Sequence, residues 1–356
     1  MPLIYSESAS AFGTRGAYKL PLPRSKIGWT DDGEMTAYML TSAQWSDIPE
    51  IEFEYMRIDT FMAGEFVWTG FDYLGEPTPV MDINAAWSIG RFLPTREGYD
   101  ARSSYFGIVD LAGLPKDSYY NYRSLWNSRE HTLHLAPHWN WEGHEGEAIP
   151  VFVYTDGDEA ELFLNGESMG RRSKIDPDQV RTSRSVARDF SYVVNPDDRE
   201  NPYYEIVDAY RLRWMEVPYA PGELRVVAYK DGTMIGEAQV LTAGEASQLR
   251  LSPDRVDLNA DGMDLCYVTI EMADKDGNVC PLAMDMLEFS VEGAARLMGV
   301  ANGNQMGHDS FTDETHPLFY GKAVAVLRSN PGQSGVATLN VRSESGFASR
   351  VVMNFL

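Results

Sequence analysis

Residues 149–170, IPVFVYTDGDEAELFLNGESMG, decide how most of this chain folds. Apolar and polar side chains alternate through AELFL, as a half-buried strand requires, because successive side chains of a strand face opposite ways. Asn165-Gly166 is the pair that a two-residue hairpin turn favours, since both central residues take positive φ there. The same signature continues in RLRWMEVPY (211–219) and in ELRVVAYKDGTMIGEAQVL (223–241), where Asp231-Gly232 marks a second hairpin. From Gln248 a further series follows: LRLSP, DLCYVTIEM, the turn DKDGN (274–278), LEFSVEG, AVAVLRS and GVATLNVRS. Two immunoglobulin-like antiparallel β-sandwiches of about 100 residues each are expected, one over residues 129–245 and one over 246–356. The Asp-, Arg- and Pro-rich stretch 173–203 reads as a loop inserted into the first.

Upstream of residue 129 the period changes. PLIYSE (2–7) is a short apolar strand, and Ile51, Tyr55, Ile58 and Met62 recur at helical spacing after Ile48. Pro49 suits the first turn of that helix. EFVWTGFDY (65–73) reads as a second strand, buried on both sides by its composition and closed by Gly70. A long loop from GEPTP to about Arg102 follows, then SYFGIVDLAG and a closing helix with the stripe Tyr119, Tyr122, Leu125 and Trp126. Strand, helix, strand, loop, helix is the order of a parallel α/β unit. A whole eight-stranded α/β barrel takes about 250 residues. Residues 1–128 signal only two of its strands, so the C-terminal portion of a TIM-type barrel is expected there.

Composition narrows the partners. The 30 Lys and Arg against 53 Asp and Glu leave a net charge of −23, which repels phosphate backbones and argues against nucleic acid. With 12% aromatic residues the chain has ample material for packed cores. No run approaches the roughly 18 apolar residues of a membrane span. The N-terminus lacks the basic region and apolar core of a secretory signal. A soluble chain, cytoplasmic or exported, is therefore expected. Cys266 and Cys280 are too few for a disulfide framework or a zinc site; two unpaired thiols are expected, with a single bridge between them as the alternative.

Glu7 is the residue that points to chemistry. It ends an apolar strand, the place where barrels of this kind carry their active-site groups. Taken alone, it reads first as a surface glutamate near a terminus, and Trp68 as a core aromatic. Six segments change that reading: PLIYSESASAFGTRG, GEFVWTGFDYLGEPTP, SSYFGIVDLAGLPKDSYYNYRSLW, LHLAPHWNWEGHEGEAIPVFVYT, AELFLNGESMG and SPDRVDLNADGMDLCYVTIEMADKDGNVCP. Together, and in this order, they resemble the C-terminal half of glycoside hydrolase family 2, in its β-galactosidase branch with extra C-terminal sandwich domains.

The resemblance implies a chain that starts near the seventh barrel strand of a retaining glycosidase hydrolysing terminal β-glycosidic bonds. It implies that Glu7 is the nucleophile, that Trp68 is the aromatic floor of the sugar site, and that Asp72 is a recurrent acidic position beside it. Ser10 stands where several relatives have a sugar-holding histidine. The family's acid/base is the Glu of an Asn-Glu pair, and that pair is absent from this sequence. The chain by itself is thus expected to be inactive; its partners would be a carbohydrate and either the missing N-terminal half or a second copy. A non-catalytic, carbohydrate-binding scaffold is the alternative.

HWNWEGHEGE (138–147) is expected to be an interface strip between sandwich and barrel, because its histidine spacing fits no zinc motif. DKDGN lacks the downstream glutamate of a calcium loop and reads as a hairpin turn. No cofactor is evident, and Mg²⁺ or Na⁺ enters only through the use that some relatives make of them.

Overall fold

The computed structural model describes residues 1–23, 32–43, 45–78, 101–180 and 202–356. Most of the long loop expected before Arg102 and residues 181–201 of the insertion lie outside the described residues. Two compact units are present, Met1–Asp110 with Pro115–Leu241, and Leu111–Leu114 with Thr242–Leu356.

The first unit opens with strand β1 (Leu3–Ser8), the short pair β2 (Ala11–Phe12) and β3 (Thr41–Ser42), helix α1 (Pro49–Ile58) and strand β4 (Met62–Val67). β1 and β4 run parallel, with Ile4 opposite Gly64, Tyr5 opposite Glu65 and Ser8 opposite Val67. α1 is the crossover between them, as a parallel pair requires. Pro49 sits in its first turn with Glu50 and Glu52, where carboxylates meet the positive end of the helix dipole. Ile51 and Phe53 bury against Tyr122 and Tyr210, whereas Met62, expected on the same helical stripe, belongs to β4. β4 departs from its expected burial: Phe66 is 65% exposed, so one face of the pair is open. Helix α2 (Asp117–Trp126) buries Tyr122 but leaves Tyr119, Leu125 and Trp126 exposed.

The first sandwich follows. Strands β5 (Leu133–Ala136) and β6 (Ala148–Thr155) precede β7 (Glu159–Leu164) and β8 (Glu167–Ser173). After helix α3 (Pro202–Tyr210) come β9 (Leu212–Pro218), β10 (Glu223–Lys230) and β11 (Thr233–Leu241). Its sheets are ordered β5-β6-β9 and β11-β10-β7-β8. Both expected hairpins form: Asn165 and Gly166 have φ of 50° and 84°, and Asp231 and Gly232 have 50° and 75°. Only the first two residues of α3 fall in the stretch 173–203 that was expected to be a loop; the helix itself was not anticipated. Ile206 and Val207, both fully buried, join it to Tyr38, Ile51 and Phe152.

The second unit is a sandwich of β12-β14-β18-β16 on β13-β20-β19-β15-β17. These strands are β12 (Ala246–Pro253), β13 (Asp257–Leu258), β14 (Leu265–Asp274), β15 (Met286–Gly293), β16 (Ala295–Ala301), β17 (Thr315–Pro317), β18 (Lys322–Ser329), β19 (Gly335–Ser343) and β20 (Ala348–Phe355). β16 and β20 had no counterpart in the sequence reading. Cys266 and Cys280 are both free and buried, and burial pushes the Cys266 thiol up to about 12.

DKDGN forms a tight turn around Asp274. Its carboxylate accepts hydrogen bonds from the backbone N–H of Gly244, Asp276 and Asn278 and from the Asn278 side chain. Burial pushes the carboxyl up, but these donors outweigh it and hold the pKa down at about 2. A folded value below the ordinary 3.8 adds stability that is present above that pH and lost on acidification towards 2. Urea unfolding of the second unit between pH 2 and 5 is expected to show this loss. Asp274→Asn should remove that part of the pH dependence and cost about 1–2 kcal/mol at neutral pH; an unchanged acid profile would exclude Asp274 as its source.

Candidate active site

β1 and β4 end side by side, and their C-terminal ends carry the residues singled out in the sequence. Glu7 is exposed, and its carboxylate makes no hydrogen bond or ion pair among the described residues. The next residue joins the strands twice: the Trp68 N–H donates to the Ser8 carbonyl at 2.8 Å, and Ser8 Oγ donates to Glu65 Oε2 at 2.6 Å. Glu7 and Trp68 are therefore brought together by strand register, across a gap of sixty sequence positions.

The chain after Glu7 is held firmly. Ser10 is 7% exposed, and its backbone N–H donates to Ser46 Oγ at 2.8 Å. It therefore lies beneath the site rather than at its surface. Ala11 and Phe12 pair with Ser42 and Thr41, and Phe12 packs on Phe106 with ring centroids 5.3 Å apart.

Trp68 is half-buried, and its indole Nε1 donates to Tyr73 Oη at 3.1 Å. The two rings meet edge to face, 5.9 Å apart. Tyr73 in turn hydrogen-bonds the Glu76 carboxylate. Neither Tyr73 nor Glu76 was marked by the sequence reading. Their only local signal is an aromatic and an acid around a Gly-Glu-Pro turn, which is common in loops.

Asp72 lies deeper. Its side chain is fully buried, paired with Lys116 Nζ at 2.6 Å and accepting from the Gly107 N–H at 2.8 Å. Burial raises its pKa to about 6 against the pull of Lys116. The Asp72 backbone lies so close to Gly107 that a Cβ there would come within 2.1 Å of the Asp72 nitrogen. A second buried pair, Arg15 with Asp110 at 2.6 Å, lies in the same unit.

The HWNWEGHEGE strip divides its roles. Trp139 and Trp141 belong to the core of the first sandwich, and Trp139 Nε1 donates to the Ala220 carbonyl at 2.9 Å. His138 sets its ring edge-on to Tyr18 at 5.4 Å, and burial lowers its pKa to about 4, so it is neutral at pH 7. Tyr18 comes from the segment before α1, so part of the strip does meet that half of the unit. His144 and Glu147 pair at the exposed rim. Among the described residues no three His, Cys, Asp or Glu side chains are grouped so as to hold a metal ion.

Residues 249–352 match glycoside hydrolase family 2 C-terminal domain 5, and residues 146–236 match a domain of unknown function, DUF4982. Over 352 residues the chain is 37% identical to the β-galactosidase BoGH2A of Bacteroides ovatus, covering 96% of this chain and 35% of that protein. It is 30% identical over 280 residues to a putative β-glucuronidase of Formosa agariphila, covering 78% of this chain and 23% of that one. The chain thus spans about a third or less of these relatives' length. Among solved structures, a β-glycosidase from Bacteroides vulgatus superposes with a TM-score of 0.76 over 99% of this chain and 41% of its own, at 24% identity. A glycoside hydrolase family 2 member from Bacteroides cellulosilyticus does so with a TM-score of 0.66 at 26% identity, over 86% of this chain and 38% of its own. Its matched C-terminal domain, its relatives and its β-sandwich architecture agree: the chain belongs to glycoside hydrolase family 2.

Proposed function

We propose that this chain is the nucleophile-bearing part of a retaining β-glycosidase acting on terminal β-galactosides. One observation carries the reading: Glu7 and Trp68 lie side by side at the C-terminal ends of a parallel strand pair, where barrels place their catalytic groups. On this reading residues 1–128 are the last part of a (β/α)8 barrel, followed by sandwiches over 129–245 and 246–356. The exposed Leu3, Ile4, Phe66 and Phe71 support it, since a two-stranded sheet with apolar residues in water is what the rest of a barrel would cover.

The chemistry follows from the residues. The Glu7 carboxylate attacks the anomeric carbon while the sugar stacks its C–H face on Trp68, and a glycosyl-enzyme ester forms. A second carboxyl group, about 5–5.5 Å away, protonates the leaving oxygen and then activates water. That group is the glutamate of an Asn-Glu pair contributed from outside these residues, because the sequence contains no such pair. Asp72 serves the sugar site through the loop it braces, its own carboxylate being engaged by Lys116 and Gly107. The galactoside is favoured by the 37% identity to a β-galactosidase against 30% to a putative β-glucuronidase.

An aryl β-galactoside tests this. The purified 356-residue chain is expected to give no turnover, and the chain joined to or co-purified with the remaining barrel strands is expected to give it. Turnover by the isolated chain would overturn the two-part reading.

A further inference from the structure

The groups around Trp68 carry information about the charge of the sugar. An indole N–H can only donate, so at 3.1 Å Tyr73 Oη is its acceptor. The phenol's own proton then goes to Glu76 Oε2, a role that suits a carboxylate, which as an anion can only accept. Burial, and then this hydrogen bond to Glu76, push the Tyr73 pKa up, so the phenol keeps its proton. The Glu76 carboxylate thus stands one hydroxyl group away from the Trp68 indole N–H. A second anion, Glu7, is exposed one residue before the carbonyl that receives the Trp68 N–H.

The two buried cations of this region cannot offset them for an incoming ligand. Lys116 is 2% exposed and held by Asp72, and Arg15 is 10% exposed and held by Asp110. Among the described residues, a sugar on Trp68 therefore meets hydrogen-bond acceptors of negative charge. Hydroxyl groups can donate to them; a sugar carboxylate is repelled by them.

We propose that Glu76 is a specificity residue, which makes the Trp68 site accept neutral hexosides and reject uronides. The inference rests on the reading of Trp68 as a sugar platform and goes beyond it, by deciding between the neutral and acidic classes that the names of the relatives leave side by side.

Ligand-observed NMR on the 356-residue chain, with methyl β-D-galactoside and methyl β-D-glucuronide as probes, tests it. At low salt the glucuronide should bind about tenfold more weakly, or about 1.4 kcal/mol, with the gap narrowing as salt screens the repulsion. Glu76→Gln keeps an acceptor for Tyr73 and removes one of the two charges, so the gap should shrink to within about threefold and its salt dependence should weaken, Glu7 remaining. Equal or tighter glucuronide binding, or a gap untouched by Glu76→Gln, overturns the specificity role while leaving Trp68 as a sugar site. Binding of neither probe, or binding that survives Trp68→Ala, overturns the platform reading and the specificity with it.

Discussion

Glu7→Gln, in the enzyme assembled with its remaining barrel strands, is expected to lower kcat for an aryl β-galactoside by about 10⁴-fold or more. The amide is close in size to the carboxylate but cannot form the glycosyl ester, so both covalent steps are lost while sugar stacking on Trp68 remains. KM should therefore change far less than kcat. The stability of the 356-residue chain should hardly move, because an exposed carboxylate without partners among the described residues contributes within about 0.5 kcal/mol. Parallel kinetics and urea unfolding separate the two effects. Activity kept within tenfold would remove Glu7 as nucleophile, and a large loss of stability would make it a structural residue.

Arg211→Met is expected to destabilise the first unit by about 3–5 kcal/mol, the cost of breaking a buried charge pair from one side. Arg211 and Glu50 have fully buried side chains, and Arg211 Nε lies 2.9 Å from Glu50 Oε1. The guanidinium also donates to the Tyr38 carbonyl and the Tyr154 hydroxyl, each at 2.8 Å, and to the Met39 carbonyl at 3.2 Å. It lies 4.9 Å from the Phe152 ring centre. One side chain thus ties the segment before α1, α1 itself and the sandwich strand β6 together. Without it Glu50 keeps, among the described residues, only the Asn121 amide as a donor, at 2.8 Å, and remains a buried charge. Arg211→Met with Glu50→Gln should recover a large part of the loss, since no lone charge is left. Urea midpoints of the two single variants and the double variant measure the coupling; additive costs, or a loss under 1 kcal/mol for Arg211→Met, would contradict the linkage.

Local sequence determined the features that depend on short-range geometry. The alternation in 160–164 and the Asn-Gly and Asp-Gly turns produced the hairpins of the first sandwich, because strand period and positive φ are local properties. Pro49 and the spacing after it produced α1 for the same reason. The motif around Glu7 placed that residue at a strand end. The apolar run of β4 was expected to be covered on both sides; in this chain Phe66 is exposed, on the face that the proposed remaining barrel strands would cover.

Tertiary structure alone decided where charge could be buried and which side chains met. Glu50, Glu52 and Glu54 look like the polar face of α1, yet all are buried. Arg211 reaches Glu50, and Tyr210 reaches Glu54, from more than 150 positions away. The same holds for Trp139 and Trp141, which left the expected interface strip for a core built from both sheets. The register of β1 on β4 likewise sets the backbones of Glu7 and Trp68 at neighbouring strand ends. A sequence shows which groups would be costly to remove from water; only the folded chain supplies the partners that offset the cost.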